Sequence, residues 1–157
     1  MLFRSLFEAA VQQALAIKFM FGHSMVLSQF GRACHLAGRQ DEAMAHAQDA
    51  INAARNSGER GNEAWACCSL GDLVSDGSTI GPTSEEAEEH YGMALAIADK
   101  LGMRPLRAHC LYGLSRLHGN AGNQALADKY ASDAARLCRE MDMRLIDPKG
   151  RGRALSS

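Results

Sequence analysis

The sequence predicts an all-α fold: a superhelical solenoid of about seven antiparallel helices. Three observations lead there. First, four helix ends repeat one another. Phe21-Gly22-His23-Ser24, Ser57-Gly58-Glu59-Arg60, Leu101-Gly102-Met103-Arg104 and Met141-Asp142-Met143-Arg144 each close an alanine-rich amphipathic run, and their second residues lie 36, 44 and 40 positions apart. Self-similarity at a period of about 20–50 residues is the mark of a stacked repeat. Second, three prolines and 6% aromatics favour helices over a β-sandwich. Third, the glycines that punctuate the pattern leave connectors of two to five residues, with one exception at 75–84, so consecutive helices should pack antiparallel.

Taken in order, helical periodicity runs over residues 3–21, 24–37, 40–57, 62–76, 84–101, 104–120 and 123–141. The first run is amphipathic: Glu8, Gln12, Gln13 and Lys18 interrupt Leu2, Phe3, Leu6 and Phe7, so it reads as a helix of the fold and not a signal peptide. Gly22, Gly38, Gly58, Gly102 and Gly122 follow helix ends, where a left-handed residue caps the last turn. Ser84-Glu85-Glu86 is a helix start, a capping hydroxyl followed by acids at the positive end of the dipole. Pro105 stands in a first turn, where its missing N–H costs nothing. The stretch Asp147–Ser157 is basic and glycine-rich and is expected to fray.

Composition narrows the function. A net charge of −1 disfavours sequence-independent nucleic-acid binding, which needs clustered excess Lys and Arg. No apolar run approaches the roughly 20 residues of a membrane span. Five cysteines without framework spacing fit a reducing compartment, and the cytoplasm is expected.

The repeats then carry a resemblance. Leu27-x2-Phe30-Gly31-x2-Cys34-x8-Ala43-x3-Ala47-x2-Ala50 recurs without a gap as Leu111-x2-Leu114-Ser115-x2-His118-x8-Ala127-x3-Ala131-x2-Ala134. It recurs with four extra loop residues as Cys67-x2-Leu70-Gly71-x2-Val74 and Ala87-x3-Tyr91-x2-Ala94. This resembles the tetratricopeptide (TPR) pattern on paired helices. Gly31, Gly71 and Ser115 would let the two helices of a pair approach closely. Ala43, Ala87 and Ala127 would fill the facing position, and Ala50, Ala94 and Ala134 would face the next pair. The period exceeds the usual 34 or so by roughly six residues, so each helix pair is longer by about a turn per helix. Long repeats ending Leu101-Gly102-Met103-Arg104, with a return near Pro105-Leu106, look like the tandem TPR segments at the C-terminal ends of bacterial adenylate/guanylate cyclases and signalling ATPases.

The resemblance implies a TPR-like domain over 1–146, with an unpaired helix at 3–21, repeats at about 24–57, 62–101 and 104–141, and a flexible basic tail at 147–157. The chain opens on an unpaired helix and stops where another would begin, which suggests a piece of a longer protein. In such a stack the first helices line the concave groove. Register places Met25, Ser28, Arg32 and His35 there from the first repeat, Trp65, Cys68, Asp72 and Ser75 from the second, and His109, Tyr112 and Arg116 from the third. Of these, Arg32, His35, Trp65, Asp72, His109, Tyr112 and Arg116 form the expected partner-binding groove. Arginine pairs bidentately with carboxylates, and Trp and Tyr give rigid contact area.

The implied function is non-catalytic: a protein-interaction module, scaffold or regulatory segment of a signalling protein, taking a peptide or helix that carries acid groups. The alternative is a homo-oligomerisation module, with a homodimer formed through the apolar N-terminal helix. No catalytic residues, cofactor or metal are expected. Cys34-His35, Cys67-Cys68 and His109-Cys110 are adjacent pairs, so one member of each should point inward and the other outward, and Cys34, Cys67, Cys110 and Cys138 read as core. A nucleophilic Cys68 would lack an oxyanion hole, and Gly77–Ser84 lacks the Gly-Lys-Ser/Thr ending of a phosphate loop.

Overall fold

Six helices are seen in a computed structural model of the chain, which describes residues 22–76 and 84–143 and residue 9 besides. They are α1 (His23–Leu36), α2 (Gln40–Asn56), α3 (Arg60–Asp76), α4 (Ser84–Leu101), α5 (Arg104–Asn120) and α6 (Gln124–Glu140). No strand occurs among the described residues. The all-α solenoid that the sequence predicts is the architecture observed. The helix expected over 3–21, the dimer contact assigned to it, the middle of the long connector and the basic tail lie outside the described residues.

The repeated helix ends have one physical cause. Gly22, Gly58 and Gly102 hold φ of +76°, +69° and +65°, and Asp142 takes the same left-handed region at +51°. The chain must reverse after each second helix. A positive φ at the residue past the helix end lets the following N–H reach back to an otherwise orphaned carbonyl. Thus Glu59 N–H donates to the Ala54 carbonyl at 2.8 Å, Met103 N–H to Ala98 at 2.8 Å and Met143 N–H to Cys138 at 2.9 Å. Asp142 does this at a small steric cost, since Asn and Asp tolerate the region better than other side chains.

Helices pair as α1 with α2, α3 with α4, and α5 with α6, and each second helix also packs on the first helix of the next pair. The first helices touch one another along the stack, α1 with α3 and α3 with α5, whereas the second helices do not. Closer packing of one set of helices than the other curves the stack. The first helices therefore line the inner face and the second helices the outer.

The buried side chains form two clusters between the layers, the smaller at α5–α6, with half-buried Leu95 and Tyr130 packed against both. Ala43 and Ala87 are fully buried, Ala127 nearly so, and Ala50, Ala94 and Ala134 are fully buried. Their small size sets the helix separation: a Cβ on Gly31 would stand 3.1 Å from the Ala43 carbonyl oxygen, so backbone meets backbone there. Charged residues fasten the turns. Buried Glu63 accepts from Arg55 Nε at 2.8 Å and from Arg60 Nη1. Glu59 accepts from Gly22 N–H at 3.1 Å and from the hydroxyl of Ser24, so the turn after α2 caps the start of α1. Those hydrogen bonds, Ser24 first, hold the Glu59 carboxyl below the usual range. No described helix is long and apolar enough to cross a membrane.

Candidate functional site

Equivalent positions of the first helices fall into rungs across the inner face. One rung is Met25, Trp65 and His109, a second is Ser28, Cys68 and Tyr112, and a third is Arg32, Asp72 and Arg116. The first rung is the open one. Met25 is 56% exposed and Trp65 39%, and with Leu36 and Leu101 they are the large apolar side chains left open among the described residues. The Trp65 indole meets the His109 ring edge-on at a centroid distance of 5.6 Å, which joins α3 to α5. Burial holds the His109 ring below the ordinary imidazole value. Nearby Asp72 opposes that shift and Arg32 adds to it.

The second rung departs from expectation. Cys68, which register assigns to the groove, is buried, as is Ser28. Cys67 and Cys68 are buried together, although adjacent helical residues should diverge. The reason is that α3 is the central helix: α1, α2, α4 and α5 all pack on it, so its side chains meet protein on nearly every side. The Cys68 thiol is pushed well up by its contact with the Cys110 thiol and by burial, and burial raises Cys67 to about 11. All five cysteines are buried and unpaired, the environment of packing residues and not of nucleophiles. Tyr112 keeps a half-buried place beside the α5–α6 core.

The third rung is a polar network. Tyr91 rises from α4, fully buried, and passes between α3 and α5. A Cβ on Gly71 would sit 3.0 Å from its ring, and one on Gly113 2.5 Å, so both glycines are needed to admit it. Its hydroxyl donates to Asp72 Oδ1 at 2.7 Å. Burial raises the Asp72 carboxyl above its ordinary value; the Tyr91 hydrogen bond and Arg116 oppose this without cancelling it.

Arg116 is engaged more tightly than the sequence suggests. Its Nη2 donates to Asp76 Oδ1 at 2.6 Å. Asp76 also faces His35 Nε2 at 3.4 Å, so one carboxylate links α1, α3 and α5. Burial alone would lower the Arg116 guanidinium, but the carboxylates of Asp76 and Asp72 more than offset it. Gln40 orients the ring: its amide nitrogen donates to the Leu73 carbonyl at 3.0 Å, which leaves its oxygen to His35 Nδ1 at 2.9 Å. Arg32, by contrast, is exposed and has no ion pair among the described residues.

The expected groove residues therefore divide. Trp65 and half-buried His109 form an accessible upper surface, and Arg32, on the third rung, is exposed as well. His35, Asp72 and Arg116 form a cross-linked lower one with Asp76, Tyr91 and Gln40, three residues that groove register does not include. Asp76 and Gln40 sit at helix ends, where a register built on helix interiors gives no warning. Tyr91 had a readable signal: its equivalents are Ala47 and Ala131, so a large residue stands in a column of small ones. Among the described residues no three His, Cys, Asp or Glu side chains gather as metal ligands. No family model matches this sequence, and no curated protein matches it.

Proposed function

We propose that the chain is a TPR-like interaction module whose inner face binds a peptide or helix bearing acid groups, as a regulatory segment of a larger signalling protein. The observation that carries this reading is the coexistence, on the face lined by the first helices, of exposed Met25 and Trp65 with exposed Arg32, which has no ion pair among the described residues. Aromatic and arginine side chains exposed on one face are the residue types most enriched in binding hot spots. Curvature supports it, because a stack with its first helices inside offers an extended concave surface. The TPR assignment rests on the alanine and glycine columns at the helix contacts, which fill the places that the repeat pattern requires. The absence of an activated nucleophile among the buried thiols favours binding over catalysis.

A peptide array tests it. Acidic, basic and neutral twelve-residue peptides, with and without Phe or Leu, are exposed to the wild type and to an Arg32→Ala/Trp65→Ala variant. Peptides that combine carboxylates with an apolar residue should be retained by the wild type and lost by the variant, about 100-fold for two hot-spot truncations. Equal retention by both proteins would remove the groove assignment.

A further inference from the structure

The lower half of the groove is filled by the protein itself. Asp76, the last residue of α3, places one carboxylate oxygen on Arg116 Nη2 at 2.6 Å and the other near His35 Nε2 at 3.4 Å. Those two groups come from the flanking repeats, and His35, whose Nδ1–H goes to Gln40, meets a carboxylate favourably through Nε2 only as the imidazolium. They are also two of the residues that groove register marks out for a partner's acid group. Both keep an opening to the groove, with 21% of the Arg116 side chain and 25% of the His35 side chain exposed, against 10% for Asp76.

We propose that Asp76 is an internal stand-in for a ligand carboxylate, and that the Arg116–His35 pair is a second acid-binding subsite which the partner opens by displacing it. This rests on the groove-binding reading and adds its regulation. Three features support displacement over a permanent strut. The arrangement of Arg116 and His35 around a single carboxylate is the one that an acidic side chain or a chain-terminal carboxylate would require. His35 is oriented by Gln40 and the Leu73 carbonyl, and so does not need Asp76 to stay in place. Nearby Asp72 is held separately by Tyr91 and would remain when Asp76 leaves.

An occupied subsite lowers apparent affinity by the fraction of molecules in which it is open. If Asp76 is in place about nine-tenths of the time, removing its carboxylate should tighten acid binding about 10-fold. The test is fluorescence anisotropy with a labelled hexaglutamate probe, in free-acid and C-terminally amidated forms, and with hexaglutamine bearing a free C-terminus. Asp76→Asn should bind hexaglutamate about 10-fold more tightly than the wild type, and Arg116→Ala added to it should erase the gain. The amidated probe and the glutamine probe show whether side-chain or terminal carboxylates fill the subsite. Asp49→Asn, the same charge change on the exposed side of α2, should bind like the wild type. If Asp76→Asn loses helical content, Asp76→Ser takes its place. No gain, a gain matched by Asp49→Asn, or one that survives Arg116→Ala would overturn the proposal. The underlying groove reading fails separately, on equal array retention by the wild type and the Arg32→Ala/Trp65→Ala variant.

Discussion

Asp72 is the residue whose physical chemistry is most at odds with stability alone. Its carboxyl lies above the ordinary range because burial penalises the charge more than the Tyr91 hydroxyl and Arg116 relieve it. For an acid raised in the folded state, the linkage has a fixed sign. Its contribution is most favourable at low pH, and is lost as pH rises from the unfolded value through the higher folded one. An amide keeps an oxygen for Tyr91 and carries no charge to desolvate. Asp72→Asn should therefore match or exceed the wild type in denaturant midpoint at neutral pH, with an advantage that shrinks as the pH is lowered through the carboxylate range. A lower midpoint at neutral pH would show that the ionised Asp72–Arg116 attraction outweighs burial. Glu59 has the opposite sign: its lowered carboxyl supports α1 above the unfolded value and ceases to as pH falls through the folded one.

At the scale of the element, the α3–α4–α5 junction shows what sequence could and could not deliver. The alanine columns were legible because burial at a helix contact admits few alternatives, and Ala43, Ala87, Ala94 and Ala134 are all fully enclosed. Gly71 was legible for the same reason. Gly113 was not, because its equivalents are Gln29 and Ser69, and a column that varies gives no repeat signal. Its smallness answers to one neighbour, the Tyr91 ring, and not to the repeat. Gly113→Ala would bring a methyl to 2.5 Å from Tyr91 Cζ and should cost about 1–3 kcal/mol, the usual range for an overfilled core. In a Tyr91→Leu background, where the ring is gone, the same substitution should cost less than half as much. Calorimetric or denaturant unfolding of the four proteins checks this, and an undiminished cost in the double variant would separate Gly113 from Tyr91.

At the scale of the whole molecule, the fold followed from the repeated helix ends, since a left-handed residue past each described second helix, at Gly58, Gly102 and Asp142, turns the chain back to stack on the pair before. The inner and outer faces followed from register. The division of the inner face into an open upper and a self-filled lower half did not. It depends on Asp76 and Gln40, whose reach to α5 and α1 is a fact of three dimensions that periodicity does not encode. Cys68 shows the same limit in reverse, a groove position by register that the central place of α3 buries.

The central claim is that partners bind the face lined by α1, α3 and α5. Amide and side-chain chemical shifts of the labelled full chain, followed while an array-selected acidic peptide is added, test it most directly. The largest changes should fall at Met25, Arg32, Trp65 and His109, with those of α2, α4 and α6 small and confined to residues that touch the inner helices. Changes centred on the outer faces of α2, α4 and α6, with Trp65 and Arg32 unmoved, would contradict it.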